Sequence, residues 1–418
     1  MQMQMQTQMN ENRDADVVVI GGGPAGIAAA VALRRRGVPR VTILEREEAA
    51  GGVPRHCGHP PFGMREFGRI CTGPDYAKRL VALAYDEGVE IRTGTTVVAL
   101  EPDASLQVVS SVGRERIHAR RVVLATGVRE TPRSARLTSG DRPMGVLNTG
   151  ALQAFVYLRG LVPFRRPLIV GTELVAMSAL LTCSAAGIHP VGMVEASGRP
   201  TAFRPFALYP RLCRIPMYYG TEIAAIRGTQ RVESVQLRRA DGELTEVDCD
   251  GVLFTGGFLP EAALVRGSHL VLDDGSGGPQ IDQYGRCSDR SYFAAGNVLR
   301  AVETAGWSFR EGRRIGEIVA DDLEGRLPGA ARELHIERSG ALKLVVPQRI
   351  CVPLGTGGLQ DLQLRVDQKV RGRLTIRAGE RVIWSKRLSA LPERRILVPL
   401  RELTLPADAQ RIDISVVS

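Results

Sequence analysis

Apolar residues follow two patterns along this chain. Up to about residue 300 they form short continuous runs closed by glycine or another small residue, at 16–20, 41–44, 122–125, 166–170, 191–194 and 291–295. Runs this short and rich in β-branched residues predict strands buried on both faces of a parallel sheet. A longer apolar stretch at 176–187 lies between two of them and predicts a helix, so strand and helix alternate as in an α/β fold. Beyond 335 the pattern changes. Residues 342–346, 362–366, 373–377, 381–384, 396–400 and 412–416 alternate apolar with polar and are broken by Gly, Pro and Asp, which predicts a small antiparallel β domain.

The turn after the first run reads Gly21-x-Gly23-Pro24-Ala25-Gly26, and Glu45 closes the second run. Between a buried strand and a helix, three glycines at this spacing give a tight turn, close backbone approach to a pyrophosphate, and close packing of helix on sheet. Anionic phosphates then sit where unpaired backbone N–H groups and the positive helix end favour them. Glu45 is placed to accept hydrogen bonds from a ribose hydroxyl, with Arg46 beside it. These residues predict a dinucleotide site and leave open which dinucleotide fills it.

Two later segments, Val-Val-Leu-Ala125-Thr126-Gly127 and Tyr-Phe-Ala-Ala-Gly296-Asn297, again end a strand in a small-residue turn. With the opening motif they resemble the two-dinucleotide-binding-domain flavoproteins related to the disulfide reductases, over roughly residues 15–325. The resemblance implies FAD as cofactor, with the Ala125–Gly127 turn marking where the chain leaves the FAD domain and the Gly296 turn touching the ribityl chain. The family has Asp where this chain has Asn297, which removes a charge. The resemblance also implies that the helix opening at Gly306 points its N-terminus at the pyrimidine edge of the flavin, with Trp307 either near the ring or packing. The expected fold is α/β: a split Rossmann-like FAD domain (15–160 and 259–330), an inserted second Rossmann-like nucleotide domain (161–258), and a C-terminal antiparallel β domain (335–418), preceded by a tail over 1–14.

The inserted domain is a degenerate repeat of the first. Gly171 to Glu195 spans the same interval as Gly21 to Glu45, but Glu173 and Ala176 replace the second and third glycines. A side chain at the second position obstructs a pyrophosphate, and a carboxylate competes with phosphate for the helix end. Ordinary NAD(P) binding is therefore disfavoured, and a retained structural domain is the expected reading, with docking, or an adenine nucleotide held differently, as the alternatives.

The stretch from Gly52 to Tyr76 is unusual: Gly52, Arg55, His56, Cys57, His59, Phe62, Gly63, Arg65 and Thr72-Gly-Pro-Asp-Tyr76. In the resembling fold the chain here passes the isoalloxazine, so Cys57, His56 and His59 are candidates near the flavin, alongside the plainer reading of loop residues bonded to neighbouring carbonyls. The surrounding basic residues and hydrogen-bond donors would favour a Cys57 thiolate or a semiquinone anion. The histidines and Cys57 are too tightly spaced for zinc, and no metal is expected. The seven cysteines include no C-x-x-C pair, which argues against a redox disulfide and against an iron–sulfur cluster housed in this chain. Their odd number fits a reducing compartment.

The net charge of +10 is carried almost wholly by scattered Arg interleaved with acids, Lys occurring only at 78, 343, 369 and 386, so nucleic acid is not an expected partner. No signal peptide or membrane span is visible, and the expected location is the cytoplasm. The Met-Gln repeat over 1–9 reads as a disordered tail.

The glycine, cysteine and histidine pattern over 52–76, with the Gly171-Thr-Glu turn, is similar to FAD-containing subunits of multi-subunit dehydrogenases such as opine oxidases, hydroxyproline dehydrogenases and hydrogen cyanide synthase. That similarity implies an electron-transferring flavin subunit. Its expected partners are a substrate-oxidising flavoprotein and a small [2Fe-2S] protein, and its expected substrate is a small amine, amino-acid-derived or hydroxy compound. A free-standing NAD(P)H-dependent flavin reductase and a non-catalytic FAD-bearing scaffold are the alternatives.

Overall fold

The computed structural model describes residues 14–417 apart from 203, 330, 356 and 393; the 1–9 repeat lies outside the described residues. The chain divides into two compact units. One comprises Met1–Gly52, Ala77–Val128 and Pro260–Ser418, the other Val53–Tyr76 and Arg129–Leu259.

In the first unit, strand Ala15–Ile20 is buried throughout and lies at the centre of a parallel sheet, between Val41–Leu44 and Gly113–Leu124. Glu90–Arg92 extends the sheet on one side and Tyr292–Ala294 on the other, both parallel to their neighbours. Burial on both faces explains the unbroken β-branched runs, each fully buried Val or Ile contributing roughly 1.5–3 kcal/mol. The first half of Gly113–Leu124 instead pairs antiparallel with Ser105–Ser110, which pairs with Thr96–Glu101.

The second unit repeats this plan. Its parallel sheet runs Met217–Tyr219, Gly192–Glu195, Pro167–Val170, Gly251–Phe254, Val146–Asn148, and a three-stranded antiparallel sheet accompanies it. Strand Val146–Asn148 pairs with Gly251–Phe254 as the edge of this sheet, and so 129–160, expected with the FAD domain, fall in the second unit together with 53–76.

The C-terminal region clusters with the first unit and forms a five-stranded and a three-stranded sheet around its own apolar core. All six expected strands are present. Two more, Arg332–Gly340 and Arg349–Val352, were not legible as alternating runs, and the pairing of Arg332–Gly340 with Arg411–Val417 is parallel in an otherwise antiparallel region.

Candidate active site

Strand Ala15–Ile20 ends at Gly21, whose φ of +107° favours glycine and where a Cβ would lie 2.5 Å from the Ala125 carbonyl oxygen. At Gly26 a Cβ would lie 1.9 Å from the Gly21 carbonyl oxygen, so helix Pro24–Arg35 packs directly on the turn. Gly23 differs. The only neighbour of a Cβ there is the Cα of Gly52, 3.9 Å away, and a Cβ on Gly52 itself would come within 2.8 Å of the Gly23 Cα. Space therefore lies open over Gly23, walled by Gly52, at the start of a helix with Pro24 in its first turn and no side-chain cap. This cradle fits a pyrophosphate.

Glu45 is buried. Its Oε2 accepts the Gly22 N–H at 2.8 Å and its Oε1 the Glu47 N–H at 2.9 Å, which fixes the carboxylate while leaving lone pairs for hydroxyl donors. Arg46 is exposed. On the other side of the central strand, the Thr126 hydroxyl donates to the Glu261 carbonyl at 2.7 Å and the Glu261 N–H to the Gly127 carbonyl at 2.9 Å. A Cβ on Gly127 would meet nothing within 4 Å.

Gly296 follows strand Tyr292–Ala294 with φ +78°, and a Cβ there would lie 2.6 Å from the Cβ of Ala25. The Asn297 side chain is occupied at both ends: Nδ2 donates to the Glu303 carbonyl at 3.2 Å, and Oδ1 accepts the Glu303 N–H at 2.7 Å. It closes the loop that leads into the long helix Ala305–Leu323. That helix lies parallel to Pro24–Arg35 and very close: a Cβ on Gly312 would be 2.0 Å from the Ala25 carbonyl oxygen, and one on Gly316 2.4 Å from that of Ala29. Because Gly312 meets the first turn of the shorter helix, the turns from Ala305 to Gly312 overhang it by about 10 Å. Trp307 stands on the overhang, with the guanidinium carbons of Arg395 and Arg310 at 3.6 and 5.1 Å from its ring centroid.

The second unit is built on the same turn with a different occupant. Gly171 has φ +115°, but a Cβ on it would lie 2.4 Å from Oε2 of Glu173, and one on Gly256 1.6 Å from Oε1. The Glu173 carboxyl thus lies inside this turn, against Gly171 and Gly256, where the first turn has Gly23 and no side chain. Burial pushes it above the ordinary carboxylate range, against hydrogen bonds from its own backbone and from Thr255. Arg136 holds the adjoining turn, donating to the carbonyls of Thr255 at 3.0 Å and Gly256 at 2.6 Å. Glu195, the counterpart of Glu45, is also buried. It accepts the Ser197 N–H at 2.9 Å and the Thr201 hydroxyl at 3.2 Å, and also bonds the Thr172 hydroxyl.

Within the same unit, a directional hydrogen-bond chain carries Cys57 and His59. The Cys57 thiol lies 3.5 Å from two acceptors, Gln153 Oε1 and the Val53 carbonyl, Gln153 Nε2 donates to Ser178 Oγ at 2.8 Å, and Ser178 Oγ lies 2.5 Å from His59 Nε2. His59 Nδ1 is 2.9 Å from the Pro60 carbonyl, which can only accept; the neutral ring therefore donates there and accepts from Ser178. The expectation of a Cys57 thiolate is corrected. Burial, then the Glu130 carboxylate, pushes its thiol up to about 12. Arg65, one of the expected cations, is exposed. No group of three or more metal-ligating side chains occurs among the described residues.

Glu130 carries no motif and was missed. It is buried, accepts the Gly150 N–H at 2.7 Å, and is pushed up to about 7, chiefly by burial. A second unanticipated group lies in the first unit: Arg300, 1 % exposed, is bonded at 2.7 Å to Glu311, whose other oxygen accepts the Gly296 N–H at 2.9 Å. Arg365 and Arg395, from the C-terminal region, reach Glu303 at 2.9 and 3.3 Å.

Comparison with known proteins agrees with this architecture. The chain is 28% identical over 369 residues to the HcnB component of hydrogen cyanide synthase from Pseudomonas aeruginosa, covering 78% of this chain and 76% of that one. It is 27% identical over 352 residues to one of the subunits of opine oxidase from Agrobacterium tumefaciens, covering 75% and 64%. To the alpha subunit of sarcosine oxidase from Rhizobium meliloti it is 26% identical over 314 residues, covering 69% of this chain but only 28% of that longer protein. Among solved structures, thioredoxin reductase from T. acidophilum superposes with a TM-score of 0.62 at 22% identity, over 74% of this chain and 99% of that one. L-proline dehydrogenase from P. horikoshii superposes with a TM-score of 0.58 at 21% identity, over 74% and 56%. The sequence profile of the pyridine nucleotide-disulphide oxidoreductases matches residues 15–312, and the chain belongs to that family of FAD-dependent oxidoreductases.

Proposed function

We propose that this chain is the electron-transferring flavin subunit of a multi-subunit dehydrogenase that acts on a small amine, amino-acid-derived or hydroxy substrate. The observation that carries the reading is the contrast between an open cradle over Gly23 and a second cradle filled by Glu173. One redox cofactor fits, while the Glu173 carboxyl lies in the usual seat of a nicotinamide electron donor, which supports a route for electrons through other proteins. Several relatives are by name subunits, of hydrogen cyanide synthase, opine oxidase and sarcosine oxidase. The partners proposed are a substrate-oxidising flavoprotein and a small [2Fe-2S] protein.

In this reading FAD supplies the electron transfer and the protein binds and tunes it. Gly23, Ala25 and Gly26 present backbone N–H groups to the pyrophosphate, Gly21 makes the tight turn, Pro24, which has no N–H, starts the helix, and Gly52 walls the seat. Glu45, with Arg46 beside it, takes the adenosine ribose. Ala125, Thr126, Gly127, Gly296, Asn297 and Trp307 line the path of the other half. Asn297 acts by fixing the 297–303 loop, since both ends of its amide are already bonded. No helix among the described residues is long and apolar enough to cross a membrane. A cytoplasmic location is proposed on the seven cysteines, all free of disulfides.

A free-standing NAD(P)H-dependent reductase is the second reading. It is favoured by 25% identity over 340 residues to putidaredoxin reductase CamA of Pseudomonas putida. Glu173 weighs against it. Anaerobic mixing of the purified chain with NADH, NADPH or candidate substrates, alone and after co-expression with neighbouring redox genes, separates the two. The multi-subunit reading expects flavin reduction only in the co-expressed complex. Substrate turnover by the isolated chain with a simple acceptor contradicts it.

A further inference from the structure

We propose that Arg365 and Arg395, carried by the C-terminal β region, tune the bound flavin toward reduction by placing guanidinium charge at the overhanging start of helix Ala305–Leu323. The inference rests on FAD occupying the open cradle.

Sheet order sets the direction of the dinucleotide. Glu45 follows Val41–Leu44 on one side of the central strand; Ala125 and Gly296 follow Gly113–Leu124 and Tyr292–Ala294 on the other. A dinucleotide with its pyrophosphate over Gly23 and its adenosine ribose at Glu45 sends its other half toward Gly296 and the overhanging turns.

A buried ionic cluster braces that place. Glu311 joins Gly296 N–H to Arg300, and Gln363 Nε2 donates to Glu311 at 3.5 Å. Arg300, Arg365 and Arg395 face Glu303 and Glu311, so among the described residues three guanidiniums meet two carboxylates. Nε of Arg300, Nε of Arg365 and Nη1 of Arg395 are buried without a hydrogen-bond partner. Desolvation holds Arg395 below its ordinary range, Glu303 opposing and Arg300 and Arg365 adding to the effect. Arg395, stacked on Trp307 at 3.6 Å and partly exposed, adds to the positive end of the helix, where, with FAD in the cradle, negative charge would form on the flavin pyrimidine ring on reduction.

The test counts FAD per chain, then measures the flavin midpoint potential of the wild type, Arg395→Met, Arg365→Met and Arg395→Lys. Glu303 keeps two arginine partners in each single variant, Arg300 at 3.9 Å and whichever of Arg365 and Arg395 is unchanged. The expected result is retained FAD with the reduction equilibrium at least tenfold less favourable in both Met variants, about 30 mV for a two-electron couple. Arg395→Lys should restore most of it. Should neither Met variant fold, titration of the wild type with sulfite decides, since sulfite addition places negative charge on the same part of the ring. An adduct supports the proposal, and no bleaching overturns it. Unchanged potentials in FAD-replete Met variants overturn this proposal alone. A wild type without FAD overturns the functional reading with it.

Discussion

The carboxyl group of Glu173 rests against Gly256, where a Cβ would lie 1.6 Å from its Oε1, whereas over Gly23 the nearest atom to a Cβ is 3.9 Å away. Two copies of one turn therefore differ in whether the phosphate seat is empty or filled by the protein's own side chain. NADH and NADPH are accordingly expected to reduce the flavin slowly or not at all. Glu173→Gly should strengthen dinucleotide binding about tenfold or more by removing both bulk and charge. Adding Ala176→Gly should help further only if the helix can settle closer, because Ala176 is fully buried while Gly26 touches its turn. Anaerobic titration followed at the flavin band checks this. Rapid reduction of the wild type at micromolar nucleotide contradicts it.

Glu130 predicts a pH dependence. Its folded value of about 7 lies above the ordinary carboxyl value, so its contribution to stability is fully present below that ordinary value and is lost as pH rises through about 7. The second unit should lose roughly 3 kcal/mol between pH 4.5 and 7 from this group. Glu130→Gln retains an acceptor for Gly150 N–H and should flatten the profile. Chemical denaturation across that range is the measurement, and parallel profiles for the two proteins contradict the assignment.

Thiol reactivity gives a third expectation. Cys57 is buried, with its thiol pushed up to about 12, while Cys213 is exposed. The native protein should alkylate first at Cys213 near neutral pH, and Cys213→Ser should remove the fast phase. Peptide mapping of the modified sites reads this out. Fast labelling of Cys57 would restore the thiolate that the sequence suggested.

The sequence disclosed what depends on local backbone need. Gly21, Gly26 and Gly52 are glycines because a Cβ meets backbone atoms, and strands 16–20 and 122–124 are unbroken because both faces are buried. The interval from Gly171 to Glu195 likewise revealed the repeat and its spoiled turn. What stayed hidden depends on distant residues meeting. Glu130 gains its shift chiefly from burial, and the pairing of Arg365 and Arg395 with Glu303 joins segments more than sixty residues apart, with no spacing rule to betray it. Cys57 misled for a similar reason: basic neighbours in sequence need not surround a side chain in space.

The central claim is that the cradle over Gly23 holds FAD, and counting FAD released from the folded chain and from Gly23→Glu tests it most directly. Gly23→Glu reproduces in the first turn what Glu173 does in the second. The account predicts about one FAD per wild-type chain and less than about a tenth of that in the variant, with the far-ultraviolet circular dichroism of the two alike. A folded wild type purified without FAD, or a folded Gly23→Glu protein that keeps its full complement, contradicts it.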